Sequence, residues 1–175
     1  MSYATVMLGG VPILPAGGAA GSGVPNQTYT REQGRTLLTL SRGRLYNMAH
    51  WSREVITLSA AGGLPHGLDG LDFDAVLELR CTHPKSVSGV LPTDRQFTLT
   101  STPRPDVAPW GWALRDGVWL LVPATVSGDQ VTVQAVPGAE LYRAAWMPMF
   151  NVICTPPEES MDTSYGWQLT ATESL

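Results

Sequence analysis

Turn-forming residues interrupt this chain so often that they decide its fold class. The 175 residues include 18 glycines and 14 prolines. No stretch of a dozen residues keeps apolar positions at i, i+3, i+4 and i+7 without a glycine, a proline or a β-branched run. Short segments with alternating apolar and polar residues are frequent instead, as in residues 96–101. The sequence therefore predicts an all-β fold, a β-sandwich or partly open β-barrel of about eight to ten short strands with long loops.

Glycine-containing turns predict where neighbouring strands pair. The clearest hairpin turns at Asp116-Gly117, because Asp-Gly tolerates the positive φ angles of a type I′ turn. A Ser-Gly-Asp turn further along predicts that residues 112–135 form a three-stranded meander. A similar hairpin is expected around Arg42-Gly43.

The chain length fits one ordinary domain, and no shift in composition marks a second. We therefore predict a single all-β domain over residues 1–175, with an extended Gly/Pro-rich loop at 9–34. That loop is too rich in glycine to fold alone and too long for a simple connection, so it is the first candidate for contacts in an assembly. The predicted subunit or partner contacts are Pro15, Val24, Pro25, Tyr29, Leu64, Pro65, Trp110 and Trp112.

Charged residues are scarce, at 15% of the chain with a net charge of −4. Because a soluble monomer usually carries about 25%, the deficit suggests that partners cover part of the surface. No broad basic face exists, so recognition of a nucleic-acid sequence is not expected. No apolar run approaches the roughly 20 residues that cross a bilayer, so we expect a soluble protein made in the cytoplasm, without membrane insertion.

The histidines lie in no recognisable catalytic frame, and the G-x-S-x-G, H-E-x-x-H and P-loop patterns are missing from the sequence. We therefore expect no enzyme, no catalytic residues and no cofactor. Cys81 and His83 have the spacing to touch one metal ion, but a second ligand pair at matched spacing is missing, so no metal site is predicted. His50 is interpreted as a half-buried structural histidine, and His66 lies in a turn.

Cys81 and Cys154, the only two cysteines, lie in apolar strand-like runs, where a free cysteine usually acts as a small buried hydrophobe. A disulfide, a metal ligand and a reactive thiol are the alternatives. The acidic stretch 69–74 does not have the spacing of a calcium loop and is interpreted as a surface turn held by its apolar residues. Residues 158–162 are interpreted as a solvated loop.

Six tryptophans suggest a carbohydrate-binding module as an alternative function, since aromatic rings commonly line ligand sites. Trp110 and Trp112 share one face of an extended segment, and Trp119 across the predicted hairpin could join either face. Core packing or subunit contact is the favoured role, because large aromatic side chains dominate both environments.

Three sequence elements resemble small minor tail proteins of long-tailed bacteriophages. They are the pair His50-Trp51, the turn Gly-Leu-Asp-Gly-Leu-Asp at 67–72, and the segment Leu-Glu-Leu-Arg-Cys-Thr-His-Pro at 77–84. An aromatic strand at 142–150, a Pro-Glu-Glu-Ser loop and a final strand at Trp167 are similar to the same group. The resemblance covers residues 1–12 and 35–175, and the Gly/Ala-rich loop 16–23 departs from it.

The resemblance implies a non-enzymatic component of the tail tip or baseplate. In that role all-β subunits assemble as rings that join the tail tube to the hub or to receptor-binding proteins. The expected partners are copies of the same chain and other tail proteins: the tail tube, the tape measure and the baseplate hub. The expected location is the virion tail, with the host cytoplasm during assembly. A cell-wall hydrolase or esterase acting through His50 or His83 is a further alternative.

Overall fold

The computed structural model describes residues 4–13, 24–62 and 65–174. These residues form antiparallel β-sheets, and their only helical turn is a three-residue 3-10 turn at Ser41–Gly43. The prediction of an all-β fold is therefore confirmed. No helix within the described ranges is long and apolar enough to span a membrane.

The described ranges contain fifteen strands, more than the eight to ten expected. They are β1 (Val6–Leu8), β2 (Val11–Ile13), β3 (Asn26–Thr39), β4 (Leu45–Gly62), β5 (Leu77–Arg80), β6 (Lys85–Ser88), β7 (Gln96–Thr98), β8 (Trp110–Arg115), β9 (Val118–Val122), β10 (Ala124–Ser127), β11 (Gln130–Val133), β12 (Leu141–Trp146), β13 (Met149–Cys154), β14 (Glu158–Met161) and β15 (Tyr165–Glu173). Many strands have only three or four residues, which is too short to show alternation in the sequence.

The chain divides into two compact units. Unit 1 combines Met1–Leu8 with Leu79–Phe150, and unit 2 combines Gly9–Glu78 with Asn151–Leu175. That residues 1–175 form a single domain stays a prediction.

Unit 1 contains two sheets that share one hydrophobic core. The strand order is β6-β12-β8-β9 in the first and β10-β11-β7 in the second. Alternate residues of β8 and β12 point into the core and meet the apolar residues of β7 and β11. The buried members of this core are Phe97, Leu99, Ala113, Val122, Val131, Val133, Tyr142, Ala144 and Trp146.

Gly111 allows the two sheets of unit 1 to approach closely. A Cβ atom at this position would overlap the side chain of Val133, which is itself completely buried. The two large polar aromatics of the core also have partners. Trp146 Nε1 donates to Ser101 Oγ at 3.0 Å, and the Tyr142 hydroxyl bonds to the backbone of Val136. The core therefore buries these rings without leaving a polar atom unsatisfied.

The predicted hairpins at Asp116-Gly117 and Arg42-Gly43 are confirmed. Asp116 and Gly117 have φ angles of 52° and 74° and connect β8 to β9. The predicted meander over 112–135 is wrong, because β9 ends before Pro123 and β10 belongs to the second sheet of unit 1. Proline has no backbone N–H to continue a ladder, so the chain leaves the sheet at this position.

In unit 2, β4 is the central strand. Its residues 55–62 pair with β15 on one side, and β3 pairs along the other side. β15 also pairs with β13 and β14. Alternation along β4 buries Ile56 and Leu58 completely, and Leu169 of β15 is 1% exposed beside them in the ladder. This pairing makes the inner part of β4 the best-supported strand of the unit.

The predicted extended loop at 9–34 is wrong over much of its length. Val11–Ile13 form β2, and Asn26 begins the long strand β3. Residues 26–34 are almost entirely polar, so their sequence shows no strand alternation. Backbone pairing with β4 holds them as a strand all the same. Residues 14–23 lie outside the described part of the chain.

Candidate functional site

The outer end of the β3–β4 hairpin is the most unusual surface of the molecule. We call residues 35–50 the arm. Their strands pair only with each other among the described residues, because pairing of β4 with β15 begins at Val55. Every arm residue is exposed, although six of the sixteen are large and apolar. These six are Leu37, Leu38, Leu40, Leu45, Tyr46 and Met48, each between 39% and 70% exposed.

The arm is apolar on both faces. Leu38 pairs with Tyr46, and the neighbouring Met48 shares their face because alternate residues of a strand point the same way. Leu37 and Leu45 lie on the opposite face. A two-stranded ribbon without a covering layer is only marginally stable in water. The arm therefore has the apolar composition of a buried element, although its side chains are exposed to solvent.

A cluster of side chains fixes the point where the arm leaves the sheet. A β-bulge lies between Gly34 and Arg35, and the indole of Trp51 covers Gly34 from the opposite strand. The Arg53 guanidinium lies 5.0 Å from the centre of the Trp51 ring and donates to Glu32 at 2.9 Å. A bulge increases local strand twist, so this cluster sets the direction of the arm.

The arm is also basic. It carries Arg35, Arg42 and Arg44 and contains no aspartate or glutamate. The rest of the chain has 8 basic and 15 acidic residues, a net charge of −7. The arm thus has the opposite charge to the rest of the chain.

A second exposed apolar surface lies on the outer face of the four-stranded sheet of unit 1. Trp110 and Trp112 are half-buried there, on the face opposite to the buried Gly111 and Ala113. The β8–β9 register places Leu121 and Trp119 on the same outer face, where they are 66% and 37% exposed. The Arg143 guanidinium packs against the Trp119 ring, 4.7 Å from its centre. We call these residues the aromatic face.

The predicted contact residues fall in different surroundings. Val24 is 61% exposed and Pro65 is exposed, whereas Pro25 is buried. Tyr29 is half-buried in β3, opposite Ile56. Pro15 and Leu64 lie outside the described residues. Sequence reasoning missed the arm itself, because its apolar residues look like an ordinary buried hairpin.

The interpretation of His50 needs correction, because this residue lies in the arm and is exposed, not half-buried. His83 is also exposed. His66, which the sequence places in a turn, is the buried histidine, with only 7% of its surface exposed.

His66 joins the turn at 65–78 to β14. Its Nδ1 accepts a hydrogen bond from the Leu68 amide at 2.9 Å, so the proton of the neutral ring lies on Nε2, which donates to Glu159. The ring also packs edge-on against Trp167, with ring centres 5.9 Å apart. Residues 158–161 form strand β14, which pairs with β15, so the prediction of a solvated loop there is wrong. His66 and Glu159 are 93 residues apart, so no local pattern could reveal their pairing.

His66, Asp69 and Glu159 also form the one group of possible metal ligands that the described residues offer, with ligand atoms within 4.8 Å of one another. A metal ion at His66 Nε2 needs the lone pair of that nitrogen, but the Leu68 amide already fixes the proton there. The hydrogen bonding therefore favours a structural role for the cluster over metal binding.

Glu159 is the centre of this network, since the Tyr165 hydroxyl donates to its second carboxylate oxygen. The hydrogen bonds from Tyr165 and His66 lower the pKa of Glu159. The same bond to Glu159 raises the pKa of Tyr165 to about 12. Both shifts are the consequence of the hydrogen bond from the neutral phenol to the carboxylate.

The acidic stretch at 69–74 is a folded turn, as predicted. Leu68 is completely buried, and its carbonyl accepts a hydrogen bond from the Leu71 amide at 3.0 Å. The Asp72 carboxylate accepts from the Asp74 amide at 3.1 Å. Asp69, Asp72 and Asp74 all remain exposed.

Cys81 and Cys154 are both buried and neither belongs to a disulfide among the described residues, in agreement with the prediction of small buried hydrophobes. Burial raises the pKa of the Cys154 thiol to about 11, so little thiolate forms at neutral pH. The open depression beside Cys154 is lined by hydroxyls, Arg53 and Glu173, and no histidine is among its lining residues in the described chain.

The sequence matches no protein-family model and no curated protein. The site must therefore be interpreted from its own geometry.

Proposed function

We propose that the chain is a non-enzymatic structural subunit of a phage tail tip or baseplate. It assembles as a ring of identical copies that joins the tail tube to the hub or to receptor-binding proteins. The observation that carries this proposal is the exposed, apolar arm, because exposed contiguous apolar surface in a folded protein marks an interaction site. The resemblance of residues 50–84 to minor tail proteins supports the choice of assembly.

The mechanism of such a subunit is shape and burial. Covering an apolar surface contributes about 25 cal/mol per Å², and a ring repeats each contact at every subunit. The scarcity of charged residues fits a surface that is largely covered in the assembled state. Within the described residues, His66 bonds to Glu159 and to the Leu68 amide, so these bonds do not activate a serine or cysteine nucleophile. The proposal accordingly includes no catalytic step.

Localisation in the virion tests the proposal directly. Gold-labelled antibody against the chain should bind at the distal end of the tail in electron micrographs of purified particles. Disruption of the gene should yield particles with defective tips, and expression of the intact chain in trans should restore them. Label on the capsid, or normal infectious particles that lack the chain, would contradict the proposal.

Carbohydrate binding by the aromatic face is the second candidate. It is supported by three tryptophans on one surface of unit 1, since flat aromatic rings stack against the apolar faces of sugars. Titration with host cell-surface polysaccharide should then change tryptophan fluorescence. Trp119→Ala should remove part of that response, whereas Trp51→Ala, which changes an exposed tryptophan of unit 2, should not. A fluorescence spectrum indifferent to polysaccharide would eliminate this candidate.

A further inference from the structure

Opposite charges are concentrated on two separate surfaces of unit 2. The arm carries three arginines, whereas unit 2 outside the arm has two basic residues and ten acidic ones. Unit 1 is nearly neutral, with six basic and five acidic residues. The charge that complements the arm therefore lies on unit 2.

Most of the exposed acidic residues of unit 2 lie in the turn at 65–78 and around β14. The exception is Glu32 in β3, which forms an ion pair with Arg53. The hydrogen bond between His66 and Glu159 brings these two segments together. We call the surface that they form the acidic surface, and its exposed carboxylates are Asp69, Asp72, Asp74 and Asp162. Glu158 is not a member, because it points to the opposite side of β14 from Glu159. The acidic surface also contains exposed apolar side chains, with Val76 at 55% and Met161 at 83% exposure.

Every residue of the arm and every carboxylate of the acidic surface is exposed in the single chain, so both surfaces are accessible to a second copy. Their arginines and carboxylates, and their exposed apolar side chains, are complementary. We propose that the arm of one copy docks on the acidic surface of a second copy of this chain. The contact joins two different surfaces, so it generates a ring when the rotation closes and an open chain otherwise.

This inference adds a contact surface to the proposed ring, and it rests on the proposed function for the choice of a second copy as the partner. The two can fail separately, since localisation in the virion tests the role and self-association of the purified chain tests the contact. A chain that labels the tail tip but stays monomeric at every concentration up to its solubility limit would overturn the arm contact alone.

Charge reversal on each side gives the test of the contact. Arg35→Glu/Arg44→Glu places like charges against the acidic surface, so self-association should weaken by at least about 100-fold. Asp69→Lys/Asp74→Lys should weaken it similarly, because both carboxylates are exposed. Lys85→Glu/Arg115→Glu changes the net charge by as much as Arg35→Glu/Arg44→Glu does, but within unit 1, and should leave self-association intact. Sedimentation velocity of the full-length chain measures all three variants.

Mixing the two reversed variants is the decisive step. Each variant alone presents like charges at the contact. In an equimolar mixture, the acidic arm of the first variant can meet the basic surface of the second, and the basic arm of the second can meet the acidic surface of the first. The mixture should therefore associate about as strongly as the unmodified chain, with the two variants alternating. Circular dichroism checks that each variant is folded. Association of either variant alone at wild-type strength, or failure of the mixture to associate when both are folded, would overturn the inference.

Salt gives an independent measurement. Raising the NaCl concentration from about 0.1 to 1 M shortens the screening length from about 10 to 3 Å, so an electrostatic contact should weaken by at least about tenfold. Association that is unchanged or stronger in high salt would mean that apolar contact alone joins the copies and would overturn the role of the charges.

Discussion

β4 passes through two environments that its sequence does not distinguish. From Leu45 to Ser52 every residue is exposed, whereas from Glu54 onward alternate residues are buried, including Ile56 and Leu58. The outer part has β3 as its partner among the described strands, and the inner part lies between β3 and β15. The two parts are similarly apolar, so apolar composition predicts a strand but does not show whether the same chain covers it. The arm therefore leaves its apolar surface exposed in the single chain.

Matched leucine substitutions should give the largest difference between these regions. Leu58→Ala removes a completely buried side chain and should lower the free energy of unfolding by about 2–5 kcal/mol. Leu45→Ala removes a side chain that is 70% exposed and should change it by no more than about 0.5 kcal/mol in the monomer. Urea unfolding at a concentration that keeps the chain monomeric measures both. Equal costs would mean that the arm is buried in the free chain.

Two glycine-to-alanine substitutions, each of which adds a methyl group, test the same difference between the interior and the base of the arm. Gly111→Ala forces a methyl group into the buried Val133 and should cost about 1–3 kcal/mol, because the surrounding core cannot move aside. Gly34→Ala forces one into the Trp51 indole, but that ring is 45% exposed and can swing into water. Alanine also lowers the conformational entropy of the unfolded chain, which offsets the cost of moving the ring. A net change near zero in the free energy of unfolding is therefore expected.

The readouts of the two glycine variants differ as well. Gly34→Ala should shift tryptophan emission toward the red, since Trp51 becomes more exposed, while the unfolding midpoint hardly changes. Gly111→Ala should lower the midpoint without that shift. If Gly34→Ala were the more destabilising of the two, the Trp51 ring would be held as firmly as a core residue, and the contrast between arm and interior would fail.

Local chemistry explains which parts of the fold could be predicted. The turn at Asp116-Gly117 was predictable because its residues favour positive φ angles wherever they occur. Strand β14 was not, since its four exposed residues show no alternation and are held by pairing with β15. The bond between His66 and Glu159 joins residues 93 positions apart, which one sequence cannot reveal. The arm was predicted as a hairpin but not as a free surface, because burial depends on what packs against it.

The pH dependence of stability should distinguish the network around Glu159 from the arm. The pKa of Glu159 is lowered in the folded state from an ordinary value of 4.5, so its contribution is present above that pH and is lost as the pH falls through the folded value. The pKa of Tyr165 is raised from 10 to about 12, so its contribution is lost as the pH rises over that interval. Glu159→Gln should reduce both dependences.

Melting temperature against pH measures this effect, and hydrogen exchange locates it. The loss should appear as faster exchange in β14 and β15, with exchange in the arm unchanged, because the described bonds of Glu159 involve His66 and Tyr165. An arm that responds equally to Glu159→Gln would show that the two regions are energetically coupled.

A small loss of stability is expected where the two regions meet, at Arg53. Its ion pair with Glu32 is exposed on both sides, at 40% and 47%, so it contributes about 0–1 kcal/mol. Its contact with the Trp51 ring is exposed too and adds about 0.5–1 kcal/mol. Arg53→Ala should therefore lower the free energy of unfolding by about 1 kcal/mol, and Arg53→Lys, which keeps the charge, by less.

Hydrogen exchange should accelerate throughout the arm but not in residues 55–62, since Arg53 fixes the direction of the arm while β15 supports the strand beyond it. If exchange in residues 55–62 accelerates equally, the boundary between the two environments of β4 does not lie at Arg53.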